Sequence, residues 1–306
     1  MIKIKSIKRL LKICLLIILL SCQPYEDYIG DFDYSAVFFG TQRPLRTLVT
    51  RENETQLELK LGVVLAGLRE NKSGHWVTFK LDPDLLDSVD GAGDFTLLPE
   101  SWYSFDISEK KIIIPKGKFL GDFKISIDKA KFTDDSLSLT KTYALPIRLL
   151  DTSADSILVG NDVIAAKDYT ILVVKYINEH SGTYYVRGNE VEIDDDGNPI
   201  VNTKNDYYHV DWISNKTRVF TTTSLNQCEM TGMGVQASDK MKVNIAAGNL
   251  VTLSSSVLPV TDLGSTYTDG VYNFKYQYTK EGKTYRVNEF LKQRNDPEND
   301  LRFEEW

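Results

Sequence analysis

The chain has 306 residues and a net charge of −7; setting aside residues 1–21, which hold five basic and no acidic side chains, leaves 31 basic against 43 acidic residues, or −12. A surface that negative excludes nucleic acid as a partner and a polybasic patch as a means of reaching a membrane. The length exceeds one comfortable hydrophobic core, so two domains of about 100–150 residues are expected.

The first 22 residues read as an export leader. Lys3, Lys5, Lys8, Arg9 and Lys12 precede the apolar run Ile13–Leu20, which is too short to span a bilayer, since a spanning helix needs about 20 apolar residues. Leu19-Leu20-Ser21-Cys22 resembles the lipobox of bacterial lipoproteins, in which the cysteine is acylated and becomes the mature N-terminus. Residues 1–21 are therefore expected to be a signal peptide and Cys22 the lipid attachment site, with an uncleaved signal anchor as the alternative. Residues 22–33, rich in Tyr and acids and without periodicity, read as a tether. Glu26 and Asp27 resemble the surface-export signals of Bacteroidetes lipoproteins. The outer membrane is the expected location, held by N-terminal lipid only, with the cell surface as the expected leaflet and the periplasmic face as the alternative. With Cys14 removed and Cys22 acylated, Cys228 stands alone, leaving no intramolecular disulfide and no cysteine zinc site. Cys228 is expected to be a small buried apolar residue.

Beyond the tether the chain is written in strands. Ala36–Phe39, Leu57–Leu65, Trp76–Leu81, Lys111–Ile114, Phe123–Ile127, Tyr143–Leu149 and Tyr169–Val174 are β-rich or alternate with period two, and Gly, Pro, Asp and Asn punctuate them. Without intervening amphipathic helices, that spacing predicts an antiparallel sandwich. A short helix-compatible piece lies at Asp82–Val89, with Pro83 in its first turn and Asp82 as cap. The pattern resets at Ser181-Gly182. Residues 34–178 are expected to form the first β domain and 179–306 a second, with strands at Thr183–Arg187, Tyr207–Ile213, Thr217–Thr223, Lys242–Ala246 and Leu250–Ser255. The clearest hairpin pairs Val271–Thr279 with Thr284–Phe290 and places Tyr272, Phe274, Tyr276 and Tyr278 on one buried face.

These features carry a resemblance. The order of leader, Tyr-rich linker, Tyr34-Ser-Ala-Val-Phe-Phe-Gly-Thr-Gln-Arg-Pro-Leu-Arg46, then Leu145-Pro146-Ile147-Arg148 and Tyr169-Thr-Ile-Leu-Val-Val-Lys175 resembles two-domain Bacteroidetes surface lipoproteins that begin with a domain of unknown function. Ser181-Gly-Thr-Tyr-Tyr185 and the Tyr-rich last hairpin are similar to that family's second domain. The resemblance implies an all-β chain: an Ig-like antiparallel sandwich followed by an antiparallel β-barrel or sandwich. It also implies glycan capture beside an outer-membrane glycan-import system.

Catalytic signatures in the sequence are poor, and with 43 acidic residues the chain's carboxylates neither favour nor exclude a glycosidase pair. His75, His180 and His209 lack metal-ligand spacing, and neither a Gly-x-Ser-x-Gly elbow nor a phosphate loop occurs. Asp194-Asp195-Asp196-Gly197-Asn198-Pro199 fits a hairpin turn better than a calcium loop, whose Gly and Glu would fall at other positions. No cofactor and no metal ligand set is read from the chain. The functional signal is aromatic, because Trp and Tyr rings stack on the C–H faces of sugars while planar polar groups bind the hydroxyls. Nine of the sixteen tyrosines follow residue 180. Tyr207, Tyr208 and Trp212 sit among hydrogen-bonding neighbours, with Tyr208 and Trp212 sharing a face if the segment is a strand. The competing reading of Trp212 is core. Trp102 and Tyr103 form a second candidate pair, and Trp306 is either a docking residue for the last strand or frayed. The expectation is a non-enzymatic surface protein that binds an extracellular glycan. An interaction lipoprotein docked on a transporter or adhesin is the first alternative, and a glycoside-active enzyme the second.

Overall fold

Alternating side chains write the first half of the chain as strands whose apolar faces meet. The structure, a computed structural model, describes residues 34–306 except 247 and 249; the leader, Cys22 and the tether lie outside the described residues. The strands before residue 180 are β1 (Ala36–Phe39), β2 (Pro44–Thr50), β3 (Gln56–Ala66), β4 (His75–Leu81), β5 (Thr96–Leu97), β6 (Tyr103–Phe105), β7 (Lys111–Ile114), β8 (Leu120–Asp128), β9 (Tyr143–Thr152), β10 (Ser156–Ile157) and β11 (Tyr169–Asn178). One sheet runs β10-β1-β3-β8-β6; the facing sheet runs β2-β11-β9-β4-β7, with β5 beside β9. This is the expected Ig-like sandwich, mainly antiparallel, with β2 running parallel to β11. Leu57 to Leu65 on β3 and Phe123 to Ile127 on β8 pack against Val77, Phe79, Ile147, Leu172 and Val174 of the other sheet. Burying each such side chain contributes about 1.5–3 kcal/mol.

A helix does form at Asp84–Ser88, but Pro83 rather than Asp82 is its N-cap. Asp82 is buried, and its carboxylate takes Arg148 Nε at 2.5 Å and Lys80 Nζ at 2.8 Å. Two cations satisfy a buried carboxylate more strongly than one backbone N–H.

After Glu179–Ser181 come β12 (Gly182–Ile193), β13 (Asn205–Tyr207), β14 (Lys216–Ser224), β15 (Gln227–Met233), β16 (Gln236–Ala246), β17 (Leu250–Ser254), β18 (Val260–Asp262), β19 (Thr266–Thr268), β20 (Val271–Lys280) and β21 (Lys283–Gln293). They wind into a closed antiparallel barrel in the order β12-β14-β15-β16-β17-β19-β20-β21, with β21 returning to β12 over Tyr184–Ile193. The hairpin at residues 271–293 turns on Glu281-Gly282, whose φ values of 53° and 77° suit the tight turns that match strand twist. Two barrel positions are interrupted. β13 continues the β14 position along β12, and β18 continues the β19 position along β20. Tyr272, Phe274, Tyr276 and Tyr278 all point inward and are buried, together with Tyr184, Phe220, Met230 and Met241. A barrel of eight positions is just wide enough for such side chains to fill.

The barrel does not own the end of the sequence. Beyond β21 the chain returns to the sandwich, where β22 (Glu304–Glu305) pairs with Pro44–Leu45 of β2. Trp306 Nε1 donates to the Ile171 carbonyl at 2.7 Å, and its ring meets Phe95 edge-on at 4.8 Å. Arg51 ties the same segment down through Asp296 (3.1 Å) and Glu298 (2.8 Å). Trp306 is thus a docking residue, on the first unit rather than on the last strand. Among the described residues no helix is long and apolar enough to cross a membrane.

Candidate functional site

Consecutive residues of a strand point to opposite faces, and Tyr207 and Tyr208 divide accordingly across the barrel wall. Tyr207 pairs with Gly188 of β12 and turns inward, where its hydroxyl donates to Glu289 Oε1 at 2.8 Å. Glu289 is wholly buried and also accepts from Arg218 (2.9 Å) and Tyr276 (3.2 Å). Arg218 reaches on to the Gly234 carbonyl at 2.5 Å, and the Gly234 N–H donates to Tyr276. Gly234 lies at φ +51°, and a side chain there would strike the Glu190 carboxylate, which takes Val235 N–H and Tyr278 O–H. Burial, then the charge of Glu289, pushes the Tyr207 and Tyr276 phenols up. Burial works against the Arg218 cation, yet Glu289 keeps its pKa above the ordinary value. The network plugs the barrel and holds both buried carboxylates out of reach of a ligand.

Tyr208 begins an excursion on the outside. The expected strand Tyr207–Ile213 stops at Tyr207, and Trp212–Ser214 form a 3-10 turn. The physical reason lies in two polar side chains. The Asn215 amide donates to the carbonyls of His209 (3.0 Å), Asp211 (2.8 Å) and Trp212 (3.2 Å), while its oxygen accepts His209 N–H at 2.8 Å. Asp211 caps the turn through Ile213 N–H. Satisfied locally, this backbone leaves the ladder. Tyr208 and Trp212 therefore do not share a strand face. They meet instead through Arg187, whose guanidinium lies 5.2 Å from the Tyr208 ring centre and 4.0 Å from that of Trp212. Arg187 is on the outer face of β12 opposite Phe290 of β21. Arg187, Asn189, Asp206, Tyr208 and Phe290 line a shallow cleft of about 240 Å³. Tyr208 and Phe290 are 56% and 42% exposed, whereas Trp212 is half-buried behind Arg187.

The second aromatic pair does not join this site. Trp102 packs edge-on to Tyr143 (5.3 Å) and Phe132 (6.3 Å) against the sandwich core. Its ring is a packing element, because the 3-10 turn Glu100–Trp102 folds it onto that core. Tyr103 leans on Phe105 at 5.4 Å and borders a cleft of about 250 Å³ with Leu98, Pro99 and Pro146. Burial, then Glu100, pushes its phenol up to about 12. A larger cleft of about 560 Å³ lies between sandwich and barrel, lined by Arg51, Glu52, Glu179, His180, Asn226 and Tyr267. Its rings are occupied with one another, His180 edge-on to Tyr267 at 5.1 Å and bonded to the Tyr272 hydroxyl at 2.8 Å. Cys228 is buried, its thiol donates to Asn178 Oδ1 at 3.2 Å, and burial pushes its pKa up to about 12. The Asp194–Pro199 segment is the expected turn, with Asn198 N–H on the Asp194 carboxylate. Arg187 and Phe290 escaped the sequence reading, since nothing local marks them as neighbours of Tyr208.

Residues 32–156 match the model of a family described as a "-like, N-terminal domain". No match is found among the curated proteins. The chain is similar to a Bacteroides ovatus protein of unknown function, with TM-score 0.71 and 20% identity over 86% of this chain and 95% of that one. A second Bacteroides ovatus protein of unknown function gives TM-score 0.42 and 15% identity over 85% and 94%. An auxiliary nutrient binding protein from Bacteroides thetaiotaomicron gives 0.39 and 16% over 81% and 89%. The first likeness establishes the fold.

Proposed function

We propose that this chain, whose first half is a domain of the N-terminal type seen in the two-domain Bacteroidetes proteins it resembles, is an exported, lipid-anchored, non-enzymatic protein that binds an extracellular glycan at the outer wall of its barrel. The observation that carries the reading is the cleft beside the pinned loop 208–215. It offers two exposed rings, Tyr208 and Phe290, on either side of Arg187, with Asn189 and Asp206 in the adjacent row. Rings for the C–H faces of a sugar and planar polar groups for its hydroxyls are the chemistry that glycan recognition needs. The Asn215 bonds hold the loop before any ligand arrives, which lowers the ordering cost of binding. Export and lipidation rest on the leader and on Cys22. The two fully plugged carboxylates, Glu190 and Glu289, favour binding over hydrolysis at the barrel.

A specific observation also favours docking to a membrane transporter complex. Val210 and Ile213 on the same loop are 82% and 70% exposed, and a partner could cover them once glycan is held.

The test pairs a glycan titration with a thermal melt of Tyr208→Ala. An exposed ring lost from a binding site should weaken binding by about tenfold or more while the melting temperature stays within about 2 °C. Unchanged affinity in the folded variant would sink the assignment of this cleft.

A further inference from the structure

The chemistry of the same cleft narrows its ligand, on the premise that the cleft is the glycan site. Arg187 stacks on Tyr208 and Trp212, yet among the described residues its guanidinium makes no hydrogen bond and no ion pair. The guanidinium is half-buried and none of its nitrogens is among the buried unpartnered atoms, so its N–H donors face solvent and are open to an incoming acceptor. Stacking fixes the plane of the group, and its in-plane donors match a carboxylate or sulfate in two-point contact.

A second cation stands beside the outer rings. Lys292 Nζ lies 6.0 Å from the Trp212 ring centre. It has no acidic partner among the described residues. The carboxylates nearby are already engaged: Asp206 with Lys204 at 2.9 Å, Asp211 with Ile213 N–H, and Glu289 inside the wall with Arg218. Two unpaired cations around one aromatic loop stand out on a chain whose net charge is −7. Local positive potential on an otherwise acidic protein draws an anion to that place alone.

We infer that the ligand is an acidic glycan, and that Arg187 bonds the carboxylate or sulfate of the sugar seated between Tyr208 and Phe290. Lys292 adds attraction at longer range. A uronate and a sulfated sugar share this chemistry, so the experiment carries one arm for each.

The purified protein is titrated with polygalacturonate and its methyl-esterified, neutral form, and with a sulfated galactan and its desulfated form. The acidic member of at least one pair should bind about tenfold tighter or more, and the margin should shrink as salt rises from about 0.1 M to about 1 M. Arg187→Gln should erase the margin between acidic and neutral forms, Arg187→Lys should keep part of it, and each variant is checked by its melt. Tyr208→Ala should weaken both members of a pair. Equal binding of acidic and neutral forms, with Tyr208→Ala still weakening both, overturns the acidic assignment and leaves the glycan site standing. Binding of no polymer overturns the acidic assignment too. Binding that Tyr208→Ala leaves unchanged overturns the site itself.

Discussion

Replacing Glu289 by Gln tests how the barrel is held shut. The carboxylate is wholly buried and bonded to Arg218 at 2.9 Å, Tyr207 at 2.8 Å and Tyr276 at 3.2 Å. Glutamine keeps the shape and one acceptor but removes the charge, leaving Arg218, 4% exposed, as an uncompensated buried cation. Breaking a buried pair this way costs about 3–5 kcal/mol, and the retained amide places Glu289→Gln near the lower end. At roughly 2–4 °C per kcal/mol for a chain of this size, the melting temperature should fall by about 6 °C or more. The double variant Arg218→Met with Glu289→Leu should recover much of the loss, since matched apolar residues are often as stable as a buried pair. Differential scanning calorimetry reads both. Because Tyr207 hangs from Glu289 and leads into Tyr208, Glu289→Gln should also weaken glycan binding without touching the outer cleft. A shift below about 1 °C would refute the reasoning, as would a double variant less stable than the single.

Four other outcomes are expected. Cys22→Ala should release the protein from membranes, and a variant that stays with the pellet through a carbonate wash would mean the apolar leader is an anchor. Trp306→Ala should cost about 3 kcal/mol, the low end for an aromatic truncation because the ring is only partly buried, and should raise amide exchange in β2 and around Ile171; unchanged exchange there would contradict the docking role. Asp82 is pushed up by burial but held below the usual carboxylate range by Lys80 and Arg148. Its contribution is present above the unfolded value and lost as pH falls through the folded one, so the melting temperature should hold from pH 7 to about 5 and drop below about pH 4, less steeply in Arg148→Met. Limited proteolysis should cut at Asp194–Pro199 before residues 178–182, because Asn178 is 2% exposed and its side chain bonds the carbonyls of Ser224 and Gln227; a first cut at 178–182 would refute that order.

The strands were readable because period-two alternation is local. Leu57 to Leu65 and the Tyr272–Tyr278 face follow from it, and so does the hairpin around Glu281-Gly282. Whether the second half closes depends on β12 meeting β21, segments about a hundred residues apart in sequence, which no window of pattern encodes; the reading left barrel and sandwich both open. The return of Trp306 to the sandwich was hidden for the same reason. The loop 208–215 had a local signal in Asp211 and Asn215, short polar side chains that compete with a ladder for backbone groups, but the β-rich letters of Tyr207–Ile213 outweighed it. The sequence singles out Tyr207, Tyr208 and Trp212 but not how strand pairing and the loop arrange them. Arg187 lies on β12 and Phe290 on β21, and only strand pairing brings either to Tyr208.

The central claim is that glycan sits on the outer wall of the barrel, between Tyr208 and Phe290. A crystal structure with a glycan selected from an array tests it most directly. The account predicts a sugar ring in that cleft, with Asn189 and Asp206 on its hydroxyls and Arg187 on its charged group. A sugar lodged instead between sandwich and barrel, against His180 and Tyr267, would contradict it.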